Sequence, residues 1–271
     1  MLQLISESRF WIVLTCAALL SACASSPTGR SQMILKSDAE LEQEGARQFA
    51  EIRANAPLVT DRVTIDYIAC VANAIVDVMD NEWSKLNWEL AIIDENQVNA
   101  FVLPGGKISV YSGILQVAKN QDQLAAVIGH EVAHVTARHA NERASRGVVT
   151  DIGVDIAAII LGGGHGGYTK TARDTLQAGA ALGIFLPFTR AQESEADVVG
   201  LEYMAKAGFD PRESVILWKN MAARNEKQPP EWLSTHPSGT TRIDGLVAQY
   251  PKVLVLYNEA REAGKHPACS P

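Results

Sequence analysis

Gly129-His130-Glu131-Val132-Ala133-His134 is the stretch on which the reading of this chain turns. On an α-helix, histidines four positions apart project from one face, one turn above the other. Both imidazoles can then reach a single Zn²⁺, with Glu131 beside them as general base toward a water. The local sequence predicts that helix. Asn120 followed by Gln123 has the form of a capping box, and Leu124, Ala125, Val127, Ile128, Val132 and Val135 supply apolar residues at helical spacing. The plain alternative is an accidental pentapeptide whose histidines are hydrogen-bonded in a polar groove. On a continuous helix His139 falls about 180° around from His130, so it reads as an exposed or capping histidine and not as a ligand.

Upstream, the pattern is a helical pair followed by a small sheet. Ser37 to about Ala54 reads as a polar amphipathic helix capped by Ser37. Thr60 to Val78 carries Val63, Ile65, Ile68, Val71, Ile75 and Val78 at helical spacing, most simply a core stripe. Trp88, Leu90 and Ile92 alternate with Glu89 and Ala91, which predicts a strand over Trp88–Asp94. Asn99–Leu103 reads as a second strand, Pro104-Gly105-Gly106 as a turn and Lys107–Tyr111 as a third strand. The glycine pair is no phosphate loop, because no Lys-Ser/Thr follows at the required spacing. The fold class this implies is α+β, mostly helical, with a small sheet packed on the H-E-x-x-H helix.

A catalytic zinc site needs a third protein ligand and an open position. Downstream, Glu193 and Asp197 are four apart and share one face of a second helix, within Arg190-Ala191-Gln192-Glu193-Ser194-Glu195-Ala196-Asp197. One carboxylate can take the metal while the other orients a ligand histidine. Glu195 points about 200° away from Glu193 and faces other partners, and small Ala196 lets two helices pack closely. A merely solvated acidic face is the alternative. Between the two motifs, residues 147–186 read as two apolar helices joined by a glycine loop, Gly162 to Gly167, with His165 on it. That loop reads as a solvated connector or a lid, and His165 as a poor ligand.

Composition excludes other classes. Of 271 residues, 47% are apolar and 20% charged, ordinary for a soluble globular domain. A net charge of −7 without a basic cluster argues against nucleic acid as a partner. At the N-terminus, Arg9 precedes an apolar run, Phe10–Leu20, too short to span a bilayer. The run ends in Leu20-Ser21-Ala22-Cys23, which resembles the lipobox of bacterial lipoproteins. That resemblance implies cleavage before Cys23 and its lipidation, a stable membrane anchor, and the alternative is a plain signal peptide. Ala24 lacks the Asp of inner-membrane retention, which points to the periplasmic face of an outer membrane. Residues 24–37, rich in Ser, Thr, Pro and Gly, read as a tether. With Cys16 removed and Cys23 lipidated, Cys70 and Cys269 remain. Either they form a disulfide tying the tail to an early helix, or Cys70 is a buried apolar residue and Cys269 a free thiol.

H-E-x-x-H followed by R-x-x-E-x-E-A-D-x-x-G resembles the HtpX and CAAX-prenyl-protease family of zinc metallopeptidases. Asn99-Ala100-Phe101 with Pro104-Gly105-Gly106 is similar to the family's strand before the zinc helix, and Ser234-Thr235-His236-Pro237 with Arg242-Ile243 to a later family segment. The resemblance implies a zincin-like metalloprotease domain with one Zn²⁺ held by His130, His134 and Glu193, and Glu131 as base. It also implies His236 near the metal, filling the open position or stabilising the oxyanion, with Asp197 and Arg242 around the ligands. Asn99, Ala100 and Phe101 would pair with an extended substrate backbone. Membrane-embedded relatives carry spanning helices that this chain lacks after Leu20, so the match is to small lipoprotein peptidases. The expected division is a signal peptide over 1–22, a lipidated tether over 23–37, a peptidase domain over 38–255 and a tail over 256–271. The expected substrates are unfolded or misassembled envelope proteins, with a lipid-anchored chaperone or assembly factor as the competing reading.

Overall fold

A computed structural model describes residues 23–149, 188–224, 232, 236 and 240–271. The signal peptide expected over 1–22, and the glycine loop and His165, lie outside the described residues.

The first described segment is not a bare tether. Strands β1 (Cys23–Ser25) and β2 (Ser31–Met33) form an antiparallel hairpin. Its polar composition has a specific cause, since Gln32 is buried and Arg30 reaches two buried carboxylates. Helix α1 (Asp38–Asn55) starts at Ser37, whose side chain accepts from the Glu40 amide. Helix α2 (Arg62–Val76) starts at Asp61, which accepts from Thr64 in the same way. Tyr67, Ile68, Val71, Ala72 and Ile75 form its buried stripe.

Strands β3 (Glu89–Ile93), β4 (Ala100–Leu103) and β5 (Lys107–Tyr111) follow in spatial order β3-β5-β4. β5 pairs in parallel with β3 and antiparallel with β4. Gly105 and Gly106, at φ +80° and +77°, make the β4–β5 turn in a conformation that side chains resist. Ala91 and Leu103 meet Phe49 of α1 on one face of the sheet, while Ile92, Ala100 and Ile108 enter the main core on the other. The sheet is therefore covered on both sides, and β4 is an outer strand.

Helix α3 (Gln121–Thr136) carries H-E-x-x-H through the centre of the molecule. The Asn120 side chain caps the Gln123 amide, but Gln123 returns its carbonyl to the Lys119 amide, so the predicted box is displaced by one residue. Apart from a single turn at Asn81–Ser84 and a 3-10 turn at Ser112–Gln116, the remaining helices among the described residues are α4 (His139–Val149), α5 (Arg190–Lys206), α6 (Glu213–Ala223) and α7 (Thr240–Glu262). α7 runs through residue 255, so the boundary expected there falls inside a helix. The residues after it are held too: Cys269 Sγ is bonded to Cys70 Sγ on α2, and Gln121 both accepts from the Cys269 amide and donates to the Pro267 carbonyl. No helix among the described residues is long and apolar enough to cross a membrane.

Candidate metal and catalytic site

The site exists because α3 and α5 touch backbone to backbone. A Cβ built on Gly200 would lie 2.9 Å from the carbonyl carbon of Gly129 and the amide of His130, and one on Gly129 would lie 3.0 Å from Gly200 O. Ala133 and Ala196, both fully buried, continue the crossing. Glycine is needed at both positions for this approach. α5 begins with a complete capping box between Thr189 and Gln192, which fixes its first turn and so Glu193.

Four donors converge. His134 Nε2 is 3.1 Å from His130 Nε2, which is 3.2 Å from His236 Nδ1. His236 Nδ1 lies 3.0 Å from Glu193 Oε1, and His134 Nε2 lies 3.6 Å from the same oxygen. Ligand bonds of 2.0–2.1 Å in a tetrahedron imply edges of about 3.3 Å, so the quartet fits one such cation. All four residues are buried. Glu193 Oε2 is a second sign of fit. It is 2.7 Å from Arg242 Nη1 and 3.4 Å from His130 Nε2, yet makes no directed hydrogen bond to either. A buried carboxylate oxygen left in this way is a natural place for a positive ion.

The surroundings set the tautomers. Asp197 Oδ1 lies 3.1 Å from His130 Nδ1 and accepts from its N–H, leaving Nε2 to face the other ligands. Arg242 Nη2 is 3.2 Å from the same nitrogen but has Asp197 Oδ1 at 2.8 Å as a better acceptor, and Arg242 Nε donates to Asp197 Oδ2 at 2.6 Å. The guanidinium stacks over Trp218. Burial and the Arg242 charge press the His130 pKa down, but the Asp197 and Glu193 carboxylates outweigh them and hold it at about 9 without metal. Burial and the neighbouring histidines push His134 well below the ordinary range. Burial opposes ionisation of Glu193, yet the close imidazoles of His130 and His236 hold its carboxyl low. Burial likewise opposes Asp197, and Arg242 wins.

His139 overturns the expectation of an exposed or capping histidine. It is fully buried, with Nδ1 2.8 Å from His134 Nδ1 and Nε2 3.1 Å from Glu195 Oε2. The helical extrapolation fails because α3 ends at Thr136. Arg138, at φ 55°, turns the chain through the left-handed region, and its side chain pairs with Asp38. α4 then starts afresh at His139 and folds it back beneath His134.

Glu131 is buried beside the quartet. The Trp232 indole donates to its Oε1 at 2.6 Å, and His236 Nε2 lies 3.4 Å from the same oxygen. Trp232 also stacks on His236, with ring centroids 4.8 Å apart. A cavity of about 410 Å³ opens over Glu131, His134 and His236 and is lined by Asn99, Phe101, Arg143 and Phe188 among others. Ala100 alternates inward and packs in the core, so only two of the three expected strand residues reach the cavity. Cys23 lies in β1, paired with Met33. Sequence reasoning missed Trp232, His139 and Arg30.

Comparison with known proteins agrees with this geometry. The mitochondrial metalloendopeptidase OMA1 of Schizosaccharomyces pombe is 37% identical over 193 residues, 70% of this chain and 54% of the relative. Its human counterpart is 34% identical over 186 residues, 64% of this chain and 34% of that one. The beta-barrel assembly-enhancing protease of Escherichia coli is 30% identical over 207 residues, covering 74% and 42%. The chain thus spans about half or less of these relatives' length. The stretch matched by the family model, residues 65–249, contains both ligand helices, the strand at the cavity and the whole quartet, so the chain belongs to peptidase family M48.

Proposed function

We propose that this chain is a zinc-dependent endopeptidase of the bacterial envelope, lipid-anchored at Cys23, that hydrolyses peptide bonds in unfolded or misassembled proteins. The observation that carries the reading is the placement of Glu131 against a buried His-His-Glu-His quartet beneath a cavity bordered by an outer strand. His130, His134 and Glu193 would hold the zinc. When bound, zinc supplies a Lewis acid that lowers the pKa of a water and polarises a carbonyl.

The rest falls to the chain's own residues. Glu131, held by the Trp232 indole, takes a proton from the attacking water and passes it to the leaving amine. The outer edge of β4 binds an extended backbone through main-chain hydrogen bonds, which suits substrates chosen for being unfolded more than for their sequence. His236 fills the position a substrate carbonyl needs, so it must withdraw before catalysis. The resting enzyme is latent. The name of the Escherichia coli relative, a protease that enhances β-barrel assembly, supports an envelope role.

A second reading rests on His236 too. With four protein donors the centre resembles a closed structural site, and the chain would act as a lipid-anchored chaperone or assembly factor. Glu131 favours the peptidase, since a structural site needs ligands but no base. The deciding test is degradation of an unfolded protein by the purified chain and by Glu131→Gln, with zinc content measured in both. Cleavage lost in the variant at unchanged zinc content is the expected result. Equal rates in both would overturn the mechanism, and no cleavage by either, with zinc bound, would favour the chaperone.

A further inference from the structure

The N-terminal hairpin is wired to a metal ligand. Arg30 donates through Nε and Nη2 to Glu195 Oε2, at 3.1 and 2.9 Å, and through Nη1 and Nη2 to the two oxygens of Glu142, both at 2.7 Å. Thr28 Oγ1 donates to Glu195 Oε1 at 2.6 Å. Gln32 Nε2 donates to the Ala137 carbonyl at 2.7 Å, and the Leu35 amide to Ser145 Oγ at 2.7 Å. Glu142 and Glu195 are buried, and Arg30 is the cation that bridges them. The segment is thus docked on α4 and α5 by charge-assisted bonds.

Proton counting carries the contact inward. Glu195, ionised and acceptor-only, requires the proton of His139 on Nε2. A neutral His139 then offers only a lone pair at Nδ1, so the bond to His134 must come from His134 Nδ1–H. That fixes His134 with a bare Nε2 aimed at the other three donors. His130 reaches a protonated Nδ1 directly through Asp197. His134 reaches it through a second histidine, and the far end of that relay is Arg30 on the hairpin.

We propose that Glu195 and His139 are positioning residues for the metal ligand His134, and that Arg30 makes metal affinity depend on the docked hairpin. The inference rests on the zinc-binding reading above. It also gives Glu195, which shares a helix with Glu193 but points away from it, a task of its own.

The test uses the full chain and two substitutions outside the quartet, His139→Leu and Arg30→Met. Zinc affinity is measured by competition with a chromophoric chelator, and the His134 tautomer by long-range ¹⁵N–¹H correlation of the imidazoles in the zinc-free protein. Wild type should show His134 protonated at Nδ1. His139→Leu should lose that signature and bind zinc about 10- to 100-fold more weakly, the usual range for an outer partner of a ligand histidine. Arg30→Met should fall the same way by less, with Arg30→Lys recovering most of the loss because it restores the charge. Wild-type affinity and an unchanged tautomer in His139→Leu would overturn the relay. A wild-type effect confined to His139→Leu, with Arg30→Met indistinguishable from wild type, would overturn the hairpin's part. Should His139→Leu not fold, Arg30→Met and Glu195→Gln carry the same comparison, and unaltered affinity and tautomer in both would overturn the proposal. No zinc binding by wild type would remove the site reading itself and the relay with it.

Discussion

Three of the four convergent donors and the fourth are held in different ways. His130, His134 and Glu193 stand on α3 and α5, helices locked by the Gly129–Gly200 crossing and the alanine pair beside it. Each has an outer partner or a fixed first turn behind it: Asp197, His139, and the Thr189–Gln192 box. His236 lies on a bend. It is placed by stacking on Trp232, by the hydrogen bond its backbone N–H donates to the Trp232 carbonyl, and by contacts to the site itself. Behind its Nε2 stands Glu131 Oε1 at 3.4 Å, a longer contact than those behind the Nδ1 atoms of His130 and His134. The difference teaches that a peptidase centre can be built as a rigid tripod with a separable stopper. Under the proposed function, affinity belongs to the first part and access to the second.

The largest expected effect separates the two parts directly. Structural zinc in small domains is worth about 10–16 kcal/mol over four ligands, so one rigid ligand accounts for about a quarter. His134→Ala should therefore weaken zinc binding by about 100- to 1,000-fold and abolish cleavage. His236→Ala should keep zinc, losing about tenfold in affinity or less, and cleave an unfolded substrate faster than wild type. Chelator competition and initial cleavage rates on the same preparations give both numbers. If His236→Ala is as inactive as His134→Ala, His236 works in catalysis and is no stopper.

How far the sequence carries one into this arrangement depends on the range of the interactions. The Asn120 and Ser37 caps, the bounds of β5, and the pairing of Glu193 with Asp197 on one face are local and periodic, and all are visible in the chain. His139 was lost at a single residue: nothing about an arginine announces φ 55°, and one left-handed residue redirects everything after it. Arg30 and Trp232 act across 165 and 101 positions of sequence. Their signals are a basic residue in a polar segment and one more aromatic near a motif, which describe many inert residues equally well. The hairpin read as a tether because polar composition marks solvated chain and chain paired with buried carboxylates alike.

A smaller effect tests why the tripod is rigid. Gly200→Ala places a Cβ 2.9 Å from the backbone of Gly129 and His130, where no flexible side chain can yield. Overpacking of this kind costs about 1–3 kcal/mol, and here the two helices must part to relieve it. Zinc affinity should fall together with stability to denaturant. Gly245→Ala on α7 is the matched control: its Cβ meets nothing within 4 Å, and alanine is the better helix former by up to about 1 kcal/mol. Equal stabilities for the two variants would mean that the glycine crossing does not set the geometry.

The smallest effect is a pH dependence, read as the melting temperature of the metal-free protein. Glu142, Glu195 and Asp197 are depressed against the opposition of burial, through Arg30 for the first, His139, Thr28 and Arg30 for the second and Arg242 for the third. A depressed carboxylate contributes stability above its unfolded pKa, about 4, and loses it as pH falls through the folded value. His130 has the opposite sign. Held at about 9 against an ordinary 6.5, it contributes fully below 6.5 and loses that contribution as pH rises through 9. His134 and His139, kept below 6.5 mainly by burial, resist protonation, so their contribution falls as pH drops below 6.5 and adds to the acid limb. The melting temperature should thus peak near about pH 6.5 and fall on both sides, at about 2–4 °C per kcal/mol for a chain of this size. Zinc separates the two limbs. The alkaline limb comes from the second proton on His130, at the nitrogen that faces the other ligands, and a bound metal displaces it. The zinc-loaded protein should keep the acid limb and lose the alkaline one. If the alkaline limb persists with zinc bound, its source is outside the tripod, and His130 is not the group that ties proton and metal together.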